Sequence, residues 1–358
     1  MRIEQLTFTR FLAAVSIVIF HYGGKSFLFN NDYVGFIFGK ADVCVSYFFI
    51  LSGFVMMIAY ANRPIISARE YLMNRLARIY PLYFLAIFIF LLFQIRCHQI
   101  DYSGLFYNVF MVQSWVPSKV LSVNPPGWSL SVEFVFYAIF PFVFNRLYKR
   151  IRLGKIIFGI VLFWIFSQIV FQLFYFSFPK EEFPLVKDFI MYNSLFHINE
   201  FLIGTLAGFL FTEKMQFKKG NYDFLILLFV GLVLLVLKFP IGLNFHNGLL
   251  AVFFIPLLIL ISLNNGLIST LFQKPLFVFL GEISYGIYIL QHPVYSLISA
   301  YSVNKYFQIN DTTVIFFIRL VILLVVSSVV YVYIEKPIQN KIKRVVKRVG
   351  ITYIQLNN

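Results

Sequence analysis

"TRFLAAVSIVIFHYGG", residues 9–24, reads as a membrane span, yet it carries a strong cation, Arg10, and an imidazole, His21. An α-helix turns about 100° and rises about 1.5 Å per residue, so eleven residues bring both side chains to one face, roughly 16 Å apart along the axis. Ionisable groups in hydrocarbon are costly, about 3 kcal/mol each on insertion scales. That face is therefore expected to look into protein and not at lipid.

The rest of the chain has the same character. Of 358 residues, 60% are hydrophobic, 13% are charged and 47 are Phe, which lies outside the usual range of soluble domains. Apolar runs occur at about 8–23, 41–61, 79–97, 129–145, 156–178, 188–211, 222–239, 248–263, 277–298 and 313–334. They predict an all-α integral membrane protein of about ten transmembrane helices. The longest intervening segment, 98–128, is too short for a second folded domain. Its stretch 104–115 is expected as a re-entrant or interfacial piece, and "NPPGW" (124–128) breaks any helix ahead of the fourth span. One membrane domain, 1–335, is thus expected, followed by a basic tail, 336–358. Glu4, together with the lack of a clear small-x-small cleavage sequence, predicts that the first run is a retained span and not a leader.

The formal charge of +15 is unevenly placed. With the N-terminus inside, twenty Lys and Arg fall in inner segments and eight in outer ones, while Arg10 and Arg319 lie within spans. This bias predicts that both termini are cytoplasmic. The tail sequence "KIKRVVKRV" (341–349) then suits anionic lipid, and no nucleic-acid reading motif accompanies it. Two cysteines, Cys44 and Cys97, are too few for a disulfide scaffold or a four-ligand zinc site; both fall near outer helix ends, which leaves a single bridge open, and buried free thiols are expected.

Ionisable groups within spans are few: Arg10, His21, Glu133, His197, Glu200, Glu282, His292 and Arg319. Spans one and four run in opposite directions, which predicts His21 and Glu133 at similar depth in the outer half. Such a pair is suited to taking a proton from a hydroxyl; the plainer alternative is that Glu133 offsets a buried charge. His197 and Glu200 have a spacing able to bind metal, but no third ligand is evident, so no metal is expected. His292 precedes Pro293 and is a candidate to satisfy the backbone group that proline frees. Arg319 stands between two readings, a counter-ion for Glu200 or a contact to a polar acceptor. GxGxxG and GxSxG sequences are absent, as are the nucleotide loop and hydrolase elbow they mark.

Arg10 and His21, "YFFILSGF" (47–54), "RLARIYPLY" (75–83), "GWSLSVEFVFY" (127–137) and "ISYGIYILQHPV" (283–294) follow one another in order. Together they resemble the integral-membrane acyltransferase-3 family over almost the whole chain. The resemblance implies transfer of an acyl group, usually acetyl, from a cytoplasmic coenzyme A thioester to a hydroxyl of a carbohydrate or lipid-linked glycan. It implies that Arg10 and His21 are essential and that Glu133 is the motif glutamate. Coenzyme A phosphates call for guanidinium groups, so Arg10, Arg75 and Arg78 become the expected donor-binding set, although Arg75 and Arg78 also read as ordinary positive-inside anchors.

Trp128, Ser129, Tyr137, Tyr285 and His292 are the expected substrate-binding residues, and Ser52 and Ser131 are further candidate oxyanion donors. The implied co-substrate is acetyl-CoA without metal. The implied partners are the lipid bilayer and a glycan or glycolipid, with a homo-oligomer neither required nor excluded. The implied location is the bacterial cytoplasmic (inner) membrane. The competing expectation is a transporter or flippase for a lipid-linked sugar.

Overall fold

A segment surrounded by hydrocarbon must satisfy its own backbone groups, and each of the ten apolar runs accordingly forms a helix. In the computed structural model, which describes residues 3–215, 217–239 and 241–342, the principal helices are α1 (Gln5–Tyr22), α2 (Val43–Tyr60), α3 (Ala68–Arg96), α4 (Trp128–Phe142) and α5 (Leu153–Ser177). They continue with α6 (Ser194–Leu210), α7 (Asp223–Lys238), α8 (Ala251–Leu263), α9 (Pro275–Leu297) and α10 (Thr312–Val330). No strand occurs among the described residues. Seven helical segments are long and apolar enough to cross a membrane, those built on α1 to α6 and on α10. Helices α7 and α8 are shorter, at 16 and 13 residues, and α9 carries the polar motif "ISYGIYILQHPV". The basic tail lies outside the described residues from 343 onward. Both cysteines are free, and Cys97 is exposed.

Helix contacts are set by small residues. Gly53 of α2 faces backbone atoms of Phe201 and Thr205 on α6, and Gly204 of α6 faces the Ile50 carbonyl on α2. A Cβ at either position would collide with main chain, so the two helices meet backbone to backbone. Gly281 of α9 meets Thr7 of α1 in the same way. The α1–α9 seam faces the polar motif of α9 toward the helix that carries Arg10 and His21.

The segment 98–128 folds onto α3 and α4. Asp101 caps the short helix Tyr102–Val109 by accepting from Gly104 N at 2.9 Å. Lys119, 2.7 Å away, holds the Asp101 carboxyl below the usual carboxylate range. Buried Gln113 donates to Tyr83 Oη at 2.9 Å and to the Gly127 carbonyl at 2.8 Å. Asn124 donates to the Ile289 carbonyl of α9 at 3.1 Å, the group whose i+4 donor Pro293 removes. Asn124, and not His292, therefore makes that repair.

Candidate active site

Arg10, on the inner-facing stripe of α1, lies within electrostatic reach of Arg78, Glu133, Tyr137 and Glu335. Three helices and the end of a fourth converge here, since these residues belong to α1, α3, α4 and the turn that prolongs α10. That turn, Tyr331–Glu335, is π-helical and carries Glu335 into the interior, where it is buried. One Glu335 oxygen accepts from Gln339 Nε2 at 2.9 Å, and the other has no hydrogen bond. Tyr285 of α9 donates to the Ile79 carbonyl of α3 at 2.7 Å, which ties α9 to the helix bearing Arg78.

Arg75 and Arg78 have different surroundings. The Arg75 guanidinium is packed among rings, 5.4 Å from Tyr71, 5.7 Å from Tyr60 and 6.0 Å from Tyr137. Arg78 shares the field of Arg10 directly, whereas Arg75 meets that group through Tyr137.

Glu133 accepts from Ser52 Oγ of α2 at 3.0 Å and shares the field of Arg10. The hydrogen-bond partner of His21 is instead Gln291, whose Oε1 lies 2.7 Å from Nδ1. The expected His21–Glu133 pair is therefore corrected. Depth along α4, counted from Trp128, presumes that this ring sits near the membrane surface. Trp128 is in fact buried against Phe49, Tyr192, His197 and His246. Gln113 and Asn124 draw the "NPPGW" turn into the bundle, so α4 begins deep and Glu133 falls at the level of mid-α2.

Around His21 the contacts are closely specified. Gln291 is fully buried, and its Nε2 donates to the Tyr288 carbonyl at 2.7 Å. Tyr288 Oη shares a hydrogen with Ser129 Oγ at 2.8 Å and donates to the Pro126 carbonyl at 3.1 Å. His292 Nδ1 lies 3.4 Å from Tyr22 Oη, with its ring against Phe90. His21 itself keeps an accessible face. Beside this end of α1 a cavity of about 430 Å³ is lined by Phe20, Phe29, Asn30, Asp32 and Phe36 among others. Arg319 donates to the Tyr295 carbonyl at 2.7 Å and lies 4.0 Å over the Tyr295 ring. A cation on one of the last carbonyls of α9 is a helix cap, so Arg319 is not the counter-ion of Glu200.

A second polar group stands behind Trp128. His197 Nδ1 lies 2.7 Å from Glu200 Oε2, both side chains being fully buried. His197 Nε2 and His246 Nε2 both donate to the Met191 carbonyl, at 2.9 and 3.0 Å. Burial disfavours a charge on His246, but the Asp42 carboxylate, 3.5 Å away, together with Glu200 and the Met191 carbonyl, outweighs it and holds this imidazole above its usual value. No group of three potential metal ligands occurs among the described residues. Gln291, Glu335, Asp42 and His246 carry no sign that a search for ionisable groups within spans would detect. Gln291 is neutral, Glu335 and Asp42 stand at span boundaries, and His246 lies in a connection.

A family model described as an acyltransferase domain matches residues 3–332. The chain belongs to this acyltransferase family, the acyltransferase-3 family whose motifs its sequence carries. It is 32% identical over 167 residues to the acyltransferase MdmB of Streptomyces mycarofaciens, covering 43% of this chain and 42% of that one. It is 22% identical over 373 residues to a Staphylococcus aureus (strain COL) protein bearing an O-acetyltransferase name, covering 93% of this chain and 56% of the relative. An acetyltransferase-named protein of Acidianus two-tailed virus is 27% identical over 232 residues, covering 62% and 64%. The match thus spans about half the length of the first two relatives. No solved structure matches the chain.

Proposed function

We propose that this multi-pass membrane protein is an O-acyltransferase that moves an acyl group, acetyl in the first instance, from acyl-CoA to a hydroxyl of a glycan or glycolipid. The observation that carries the reading is the α1–α9 seam, with guanidinium groups at one end and an accessible, hydrogen-bonded imidazole at the other. Membrane topology drawn from the basic residues makes the Arg10 end cytoplasmic, in a bacterial inner membrane. Arg10 and Arg78 receive the phosphates of coenzyme A. Tyr137, Tyr285 and the Ser52–Glu133 pair line the way for the pantetheine arm, with Glu133 balancing the charge of Arg10. Arg75 holds α3 against its aromatic neighbours, and Trp128 supports the wall behind the site.

At the far end His21 accepts the proton of the acceptor hydroxyl. The oxygen bonds to the thioester carbonyl carbon, whose oxygen gains the negative charge. When the C–S bond breaks, the electron pair leaves with sulfur and the proton passes from His21 to the thiolate. His292 and, through Tyr288, Ser129 are assigned to the acceptor side. The aromatic and amide lining of the neighbouring cavity suits a sugar ring, and its volume is within the range of small-molecule sites.

The test is transfer of label from [14C]acetyl-CoA into envelope glycans by membranes that contain the protein, together with glycan mass in cells with and without it. An added acyl increment that depends on the protein is expected. Absence of donor turnover alongside intact export of a lipid-linked sugar would assign the protein to transport instead.

A further inference from the structure

His21 is joined to the bundle through one ring nitrogen, and the atom on the other side of that bond decides the chemistry of the ring. Nδ1 is 2.7 Å from Gln291 Oε1. The remaining polar atom of Gln291, Nε2, is 2.7 Å from the Tyr288 carbonyl oxygen, which can only accept. The amide therefore has one allowed orientation: its NH₂ faces Tyr288 and its carbonyl faces His21. A carbonyl oxygen also only accepts, so Nδ1 must carry the hydrogen. A neutral imidazole has a single N–H, which leaves the lone pair on Nε2. The opposite tautomer would set two lone pairs against each other and strand the buried Gln291 carbonyl without a donor.

Gln291 is held as firmly as it holds. It is fully buried, it lies on the helix locked to α1 at Gly281 and Thr7, and Asn124 repairs the backbone nearby at Ile289. We propose that Gln291 is a positioning residue: it fixes His21 in the Nδ1–H tautomer and turns the Nε2 lone pair toward the acceptor hydroxyl. This rests on reading His21 as the base. A neutral amide also differs from a carboxylate partner in consequence. It sets the orientation of the ring without trapping the imidazolium as an ion pair, so the proton is free to go on to the departing thiolate.

The test uses full-length protein labelled with [15N]histidine in lipid bilayers, with solid-state NMR reading the tautomer. Loss of one signal set in His21→Gln assigns the residue. The wild-type protein is expected to show Nδ1–H at His21. Gln291→Leu is expected to release it toward Nε2–H and to lower kcat for acetyl transfer by about 10- to 100-fold with KM for acetyl-CoA unchanged. Gln291→Glu, which keeps an acceptor in place, is expected to restore the Nδ1–H form and part of the rate. Should Gln291→Leu fail to insert, Gln291→Met removes the same carbonyl with less change of shape. An Nε2–H tautomer in the wild type overturns the proposal, as does a Gln291→Leu protein with unaltered tautomer and kcat. Full transfer by His21→Gln would sink the base reading itself, whereas an inactive His21→Gln beside a fully active Gln291→Leu would sink only the role of Gln291.

Discussion

The two ends of the α1–α9 seam are built on opposite principles. At the Arg10 end, charges gather with little hydrogen bonding: among the described residues neither Arg10 nor Arg78 donates a hydrogen bond, and one Glu335 oxygen is unpaired. At the His21 end the geometry is closed, with His21 on Gln291, Gln291 on Tyr288, and Tyr288 on Ser129 and Pro126. Arg78 is exposed and Arg10 half-buried, so their donors are left over for a ligand, whereas a bonded network keeps its shape. The contrast teaches where a charged substrate is received and where a reacting group is aimed.

Substitutions at each end can break this contrast, and the largest effect is expected at His21. His21→Ala should lower acetyl transfer by about 10²- to 10⁴-fold while membrane insertion stays normal, measured as label transferred per unit of inserted protein. Unchanged transfer would remove the chemistry from that end. Next come the guanidinium groups: Arg10→Gln and Arg78→Gln should raise KM for acetyl-CoA about tenfold or more. Arg75→Gln should leave KM alone and lower the unfolding temperature, because its partners are rings. Equal KM effects at all three would erase the distinction drawn between Arg75 and Arg78.

A smaller, pH-dependent effect belongs to His246. The folded state holds its pKa above the usual value, about 6.5, chiefly through Asp42. The stabilisation is thus fully present below that usual value and is lost as pH rises through the raised one. The unfolding temperature in detergent should fall as pH rises above about 6.5 by more in the wild type than in Asp42→Asn. An identical slope in both would show that the pair contributes nothing. Smallest is the helix cap at Asp101. Asp101→Ala should cost about 1 kcal/mol of stability, seen as a modest drop in unfolding temperature, with kinetics intact. A change in KM there would mean that segment 98–128 takes part in binding.

Much of the site is legible in the sequence, but unevenly. Arg10 and His21 stand out because charge inside an apolar run needs no knowledge of neighbours, and helical phase alone puts them on one face. Gly53 is readable as a point of close helix approach, and it meets the backbone of α6. Glu133 is visible as a residue but not as a partner, because depth along a span says nothing of where the span begins, and Trp128 lies inside the bundle. Gln291 sits within a recognisable motif, yet an amide carries no charge to mark it. Arg319 has the look of half an ion pair, but its acceptor is a main-chain carbonyl, for which no side-chain pattern gives a sign.

Hydropathy and helical phase are local quantities, so the chain alone determined that it would cross the membrane in helices and that a guanidinium and an imidazole would share one stripe. Which groups meet that stripe was decided only in three dimensions. Gly281 against Thr7 fixes how α9 is laid along α1, and Gln113 and Asn124 draw the start of α4 inward. Apart from the short link between Gln113 and Gly127, these contacts join residues far apart in sequence. They bring Gln291 to His21 and leave Glu133 with Ser52 and Arg10.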